Sequence, residues 1–298
     1  MSSNLLPRLF LIDGSAYIFR AYFALPPLIN SAGLPTNAIY GFTNILLKLL
    51  KQYEPEYVAV ALDAGRETFR NQMFADYKGN RPEAPADLVP QFPYIRKVLD
   101  VLNIATLELK GYEADDLIAT LCKNFSANEC EITVVSSDKD LMQLVTDGIK
   151  LLDSAKDRWI GAEQVKEKFG VGPERVTEVM GLMGDAVDNI PGVKGIGEKT
   201  ATALIQQFET LENLFEHLED VEKMKLRGAA RIRRTLDGGK AAAFLSRDLA
   251  TVNSAVPLPT ALEELRARQP DKEKLRALFS ELEFTNLLKL MEQENAFS

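Results

Sequence analysis

The sequence predicts an α/β protein: a mostly parallel central sheet flanked by helices, continuing into a helical region. Three observations predict it. Short β-branched apolar runs alternate with helical patterns through the first half. Three of those runs lead straight into aspartate. From about residue 162 the strand pattern stops and helical periodicity takes over.

In chain order, "RLFLI" (8–12) is a continuous apolar run ending at Asp13. "YVAVAL" (57–62) ends at Asp63, and "EITVVSS" (131–137) runs into Asp138. "NIATLEL" (103–109) and "IKLLD" (149–153) are weaker strands. Helical spacing covers 37–52, about 91–101 and 113–126 between them. The second half gives helices at 162–169, 173–183, 197–208, 210–218 and 239–250, then a scaffold section at 261–293. The segment 221–240 carries seven Lys/Arg against two acids. Residues 64–94 interrupt the rhythm with a long connection, Pro-rich in its second half. There Arg66, Arg70, Lys78 and Arg81 interleave with Phe69, Phe74 and Tyr77. Cations for phosphates beside aromatic faces for bases is a single-strand-binding composition. An ordinary charged surface loop has the same look.

Composition bounds the chemistry. The 298 residues are 46% hydrophobic and 26% charged, globular values with room for a substantial core. No apolar run approaches the roughly 20 residues of a membrane span. The opening "MSSNLLPRLFLIDG" does not read as a secretion signal. Cys122 and Cys130 are the two cysteines, without metal-ligand spacing, so a reduced cytoplasmic protein is expected. His217 is the lone histidine, which disfavours a Ser–His–Asp triad and zinc. Carboxylates are left to do the chemistry.

Those carboxylates collect at strand ends and in tight pairs: Asp13, Asp63, Glu113, Asp115, Asp116, Asp138, Asp140, Asp185 and Asp188. Parallel strands deliver their C-terminal ends to one edge, where ligands bind in doubly wound sheets. A single Asp after a strand is a turn former or an N-cap. In "GYEADD" (111–116), helix capping and ligand binding both remain open. Nine converging acids raise their pKa values or demand cations, and oxygen ligands without Cys or His select Mg²⁺, with Mn²⁺ as a substitute. Two such ions about 4 Å apart support an in-line displacement at phosphorus. With the nine acids set aside, the formal net charge of −8 becomes +1, so the acidity does not exclude nucleic acid. "IPGVKGIGEKTATALI" (190–205) is a Gly-rich hairpin entering an apolar helix. It lacks the phosphate-loop form GxxxxGK[ST] and looks like a helix–hairpin–helix, which grips a DNA backbone without reading sequence.

The ordered set "LIDGSAYIFRAYFA", "LDAGRETFR", "YKGNRP", "GYEADDLIATL", "SSDKDLMQLV" and "LMGDAVDNIPGVKGIGEKTA" resembles the 5′-nuclease domains of bacterial DNA polymerases I, in the flap endonuclease family. The likeness runs to "LFSELEF" near the C-terminus. It implies a resolvase-like (PIN-like) α/β nuclease domain over 1–172 with a helical arch at about 64–94. A helical region over 173–298 would carry a helix–three-turn–helix at about 173–210. One metal is implied at Asp13, Asp63, Glu113 and Asp115, and a second near Asp115, Asp138, Asp140 and Asp185. Asp116 and Asp188 would orient metal-bound waters. Arg20, Lys78 and Arg81 match residues acting on the scissile phosphate, with Arg70 and Tyr77 beside them on the DNA. Gly192, Lys194, Gly195, Gly197, Lys199 and Thr200 would hold the duplex, with K⁺ on backbone carbonyls. The implied activity is Mg²⁺-dependent, two-metal hydrolysis at 5′ flaps and 5′ ends beside duplex, in Okazaki-fragment processing and DNA repair. The implied protein is a monomer, bacterial, cytoplasmic and nucleoid-associated, linked covalently or functionally to a polymerase. Two rival readings stand: a DNA-binding module without catalysis, and an unrelated Mg²⁺ phosphohydrolase, since "LIDG" after a strand is similar to an aspartyl-phosphate setting.

Overall fold

The computed structural model describes residues 6–126 and 130–292. Its six-stranded sheet has the order β3-β2-β1-β4-β5-β6, built from β1 (Arg8–Asp13), β2 (Tyr57–Ala61), β3 (Ala105–Leu107), β4 (Glu131–Val135), β5 (Ile149–Asp153) and β6 (Arg158–Ile160). The first five run parallel, and β6 joins β5 antiparallel. All three apolar runs ending in aspartate are therefore central strands. Buried on both faces, such strands have no polar side to show, which is why they read as unbroken hydrophobic runs. The edge strand β6 was not anticipated, being three residues with no periodicity of its own.

Alternation along β1 divides the core. Phe10 and Ile12 join Tyr17, Phe42, Leu46, Val98 and Leu99 on one face, drawn from α1 (Gly14–Ala24), α2 (Asn37–Tyr53) and α4 (Phe92–Val101). Leu9 and Leu11 join Leu117, Leu121, Val179 and Leu182 on the other, from α5 (Ala114–Phe125) and α7 (Val176–Met183). The second core runs on without a break into α8 (Glu198–Phe208), α9 (Leu211–Glu216) and α11 (Lys240–Ala250). The last helical section does not stay there. α12 (Lys272–Glu281) and α13 (Thr285–Glu292) return to the first face, where Leu275, Phe279 and Leu287 are buried beside α2 and α4.

Little of the 64–94 connection is helical. Thr68 caps the five-residue α3 (Phe69–Met73), turns follow to residue 80, and Pro82 and Pro85 keep the rest from helix up to a 3₁₀ turn at Val89–Gln91 that contains Pro90. No helix among the described residues is long and apolar enough to cross a membrane.

Candidate metal centre and nucleic-acid interface

The β1, β2 and β4 ends are knitted together by their own aspartates. Asp13 closes β1 and caps α1, its Oδ1 accepting from the Ala16 N–H at 3.1 Å and its Oδ2 from the Ser136 hydroxyl at 2.8 Å. The Asp63 N–H donates to Ser15 Oγ, and its carboxylate accepts from the Ala114 N–H at 2.8 Å, tying the β2 end to the start of α5. Asp138 follows β4 and accepts from the Asp140 N–H at 2.9 Å. Gly14 permits this crowding: a Cβ there would lie 2.4 Å from Val60 Cγ1.

The start of α5 settles part of the capping question. Glu113 occupies the N-cap position with its side chain turned to Arg70, Tyr77 and Lys78, and Asp116 reaches back to accept from the Glu113 N–H at 3.1 Å, one half of a capping box. Asp116 also accepts both Arg70 Nη groups at 2.8 Å and the Asn253 N–H at 2.8 Å. These four bonds occupy its lone pairs, and at 0% exposure it has no face left for orienting a water. The resemblance gives Asp116 the orienting of metal-bound waters; in this arrangement its carboxylate is locked to Arg70 and the backbone. Arg70, 2% exposed, also donates to the Leu249 and Thr251 carbonyls. Tyr77 is buried beside it and donates to Glu113 Oε2 at 3.1 Å. Neither lies on a surface that DNA can reach. At Arg70 and Tyr77 the cation–aromatic pattern of the loop serves the core, while Arg66 and Arg81 stay exposed.

The acids divide by what faces them. Lys78 Nζ is 2.7 Å from Glu113 and 3.7 Å from Asp188, Arg81 pairs with Asp188, and Lys139 Nζ lies 2.7 Å from Asp185. Lys139 went unremarked in the sequence because a cation between two acids reads as a solvated turn. Asp13, Asp63, Asp115, Asp138 and Asp140 have no cation partner among the described residues. Burial, with the charges of Asp138 and Asp63, pushes the Asp13 carboxyl up to about 6 against its bonds to Ala16 and Ser136. Burial and then the charge of Asp138 push Asp140 up to about 8, and Asp185 and Asp188 add to it despite Lys139. Burial, then Asp13 and Asp138, hold Asp115 well above the usual carboxylate range. Asp140 Oδ1 is buried with no hydrogen-bond partner.

Among the described residues no three His, Cys, Asp or Glu side chains stand close enough to hold a metal ion as they lie. The fit is one of donor chemistry and charge. Five mutually repelling carboxylates, one with an orphaned oxygen and no soft donor nearby, suit a hard divalent cation. Two of the five, Asp138 and Asp140, line a 550 Å³ cleft together with Arg81, Lys139, Asp185 and Asp188. Arg20 stands off its rim, Nη1 3.6 Å from Asp153 Oδ1 and without a hydrogen bond. Asp153 is thus a fourth strand-end aspartate, overlooked because β5 was a weak strand.

The hairpin at 190–197 leaves α7 through a tight crossing. Gly184 (φ +69) and Gly192 (φ +59) touch so closely that a Cβ on Gly192 would be 2.4 Å from the Gly184 nitrogen. The Gly192 N–H donates to buried Ser246 Oγ, so this glycine shapes the hairpin and offers nothing to a phosphate. Lys194, Gly195, Gly197 and Lys199 are exposed, and Thr200 is half-buried in the first turn of α8. Gly195 (φ +94) and Gly197 have open space around them, where a phosphate oxygen can approach the backbone.

Residues 8–170 match the family described as 5′-3′ exonuclease, N-terminal resolvase-like domain, and residues 171–273 match the 5′-3′ exonuclease, C-terminal SAM fold. A 5′-3′ exonuclease of Aquifex aeolicus is 38% identical over 281 residues, 94% of each chain. DNA polymerase I of Bacillus subtilis is 41% identical over 97% of this chain, which spans about a third (33%) of that relative's length. The fold is similar to that of the phage T5 D15 protein co-crystallised with metal ions (TM-score 0.68, 20% identity, covering 95% of this chain and 99% of that one). It is also similar to the catalytic core of Rad2 in complex with DNA substrate (TM-score 0.61, 16% identity, 93% and 87%). Matched over residues 8–273, the chain belongs to the 5′-3′ exonuclease family.

Proposed function

We propose that the chain hydrolyses DNA phosphodiesters at the junction of a 5′ single strand with duplex, as a metal-dependent 5′→3′ exonuclease and flap endonuclease. The observation that supports it most is the division of the acids: five carboxylates have no ion-pair partner among the described residues, and two of them, Asp138 and Asp140, line a cleft with Arg81 and Lys139. Asp13, Asp63, Asp115, Asp138 and Asp140 would hold divalent ions, with Glu113 and Asp185 joining as Lys78 and Lys139 let go. The chemistry such ions would supply, as Mg²⁺ or Mn²⁺ and as a pair, is activation of a water and charge stabilisation at the leaving oxygen.

The chain's own residues do the rest. Lys78 and Arg81, now resting on Glu113 and Asp188, are cations able to turn to a phosphate oxygen. Arg20, weakly held by Asp153, serves the same phosphate from α1. The exposed backbone at Gly195 and Gly197, with Lys194 and Lys199, binds the duplex arm, and its carbonyls are the place for K⁺. The working unit is read as a cytoplasmic monomer, with nuclease domain 1–172 and helical region 173–298, acting beside a polymerase in Okazaki-fragment processing and DNA repair.

A labelled 5′-flap duplex incubated with Mg²⁺ or with EDTA, with its products sized, tests the reading. Cleavage near the junction in Mg²⁺ alone is expected. Asp115→Asn and Asp138→Asn should each abolish cleavage while the flap still binds. Mg²⁺-dependent turnover in both variants refutes the assignment.

A further inference from the structure

The basic stretch 221–240, with seven Lys/Arg against two acids, takes no part in the site just described. Much of it folds into α10 (Ala229–Asp237), which follows Gly228 (φ +80) and has neither an acid in its first turn nor a side-chain cap. Arg227 and Arg231 thus crowd the positive end of a helix, a cost that nothing on the helix offsets. Lys223 pairs with Asp220 and Arg233 with Glu219, and Lys240 lies over the ring of Phe215. Lys225, Arg227, Arg231 and Arg234 are exposed and make no ion pair among the described residues.

Two further observations indicate the partner. None of the exposed large hydrophobic residues falls within 221–240. Protein interfaces rest on buried apolar and aromatic anchors, so a face offering charge alone suits a polyanion backbone. The position is also telling. A Cβ on Gly239, just past α10, would stand 2.5 Å from Val193 Cγ1, so the end of α10 abuts the 190–197 hairpin that exposes Lys194.

We propose that Lys225, Arg227, Arg231 and Arg234 continue the phosphate-contacting surface of the hairpin and grip a further stretch of the duplex arm. Nine helical residues span roughly 13 Å, about four base pairs of backbone. This rests on the duplex substrate named under Proposed function. The contact would be blind to sequence, since it addresses phosphates only.

The test is the salt dependence of flap binding in EDTA, followed by fluorescence anisotropy of a fluorescein-labelled 5′-flap duplex between 50 and 200 mM KCl. Each phosphate contact contributes about 0.9 to the slope of log K against log salt. Arg231→Gln with Arg234→Gln should flatten the slope by about 2 and weaken binding at least roughly tenfold at 50 mM KCl. Lys225→Gln with Arg227→Gln, outside the helix, should do the same and guards against a folding defect in the first pair. Lys272→Gln with Arg276→Gln removes the same charge from exposed positions on α12, on the far face of the sheet, and should leave the slope unchanged. An unchanged slope in both test pairs, or an equal change in the α12 control, overturns the proposal. Mg²⁺-dependent cleavage by the unaltered protein reports separately on the nuclease reading.

Discussion

Arg70 offers a sharp separation between a DNA-binding role and a folding role. Replacing it with Met keeps the aliphatic length and deletes a guanidinium that makes five hydrogen bonds: two to Asp116, one to Glu113, and one each to the Leu249 and Thr251 carbonyls. Asp116 at 0% exposure would lose its cation. Breaking a buried pair from one side costs about 3–5 kcal/mol, because the remaining charge stays desolvated. For a chain of this size that lowers Tm by on the order of 10 °C. The bonds to Leu249 and Thr251 carry the loss from α3 to the end of α11, so the damage spans both halves of the molecule. Urea unfolding of Arg70→Met, compared with Arg70→Met/Asp116→Leu, measures it. The double variant, with no stranded charge, should recover at least half of the loss. A single variant within about 1 kcal/mol of the parent, but with reduced flap affinity, refutes the reasoning and returns Arg70 to the DNA surface.

Lys78→Ala should lower kcat on a 5′-flap by orders of magnitude and change duplex affinity much less; a pure affinity loss in single-turnover assays would make Lys78 a binding residue. Asp13 at about 6 and Asp140 at about 8 hold protons more tightly folded than unfolded, since both start from 3.8. Metal-free stability is therefore favoured at low pH and lost as pH rises from roughly 4 to 8. The Tm gain on adding Mn²⁺ should accordingly be larger at pH 8 than at pH 5.5, and the reverse order in thermal melts refutes the acid assignment. Gly192→Ala, driving a Cβ to 2.4 Å from the Gly184 nitrogen, should cost on the order of 3 kcal/mol. Gly195→Ala meets open space and should cost about 1 kcal/mol, so equal denaturation midpoints for the two would contradict the crossing described here.

The strands were legible where burial on both faces forces continuous apolar runs, as in β1, β2 and β4. Legibility faded toward the sheet edge. β3 keeps only Ala105–Leu107 of the seven residues expected, and β6 left no trace because three residues cannot show a period. The return of α12 and α13 to the α2 and α4 face was invisible for another reason. Leu275, Leu278, Phe279 and Leu282 announce an apolar face, but periodicity does not say which of two cores it meets.

The placing of the strand-end acids was legible and the partners of the cations were not, and the asymmetry is physical. An aspartate after a strand has its position fixed by the strand, so three of them in one parallel sheet must share an edge. A lysine or arginine reaches its partner through a long flexible stem, and sequence spacing does not constrain where the charge ends up. Arg70 lies 43 and 46 residues from the acids it holds, and Arg81 lies 107 from Asp188. The loop composition that suggested single-strand binding was therefore produced by two different needs. Arg70 and Tyr77 carry the fold, buried behind Glu113, while Lys78 and Arg81, within four residues of Tyr77, rest on acids at the cleft and can leave them. "GYEADD" divides the same way: Glu113 stands at the N-cap position and is held by Lys78, Asp116 caps and is locked by Arg70, and Asp115 alone faces the other strand-end acids with no ion pair of its own among the described residues. Capping and metal binding are not competing accounts of the motif, because neighbouring positions on one helical turn point in directions about 100° apart. One turn can thus cap itself inward and present a carboxylate outward.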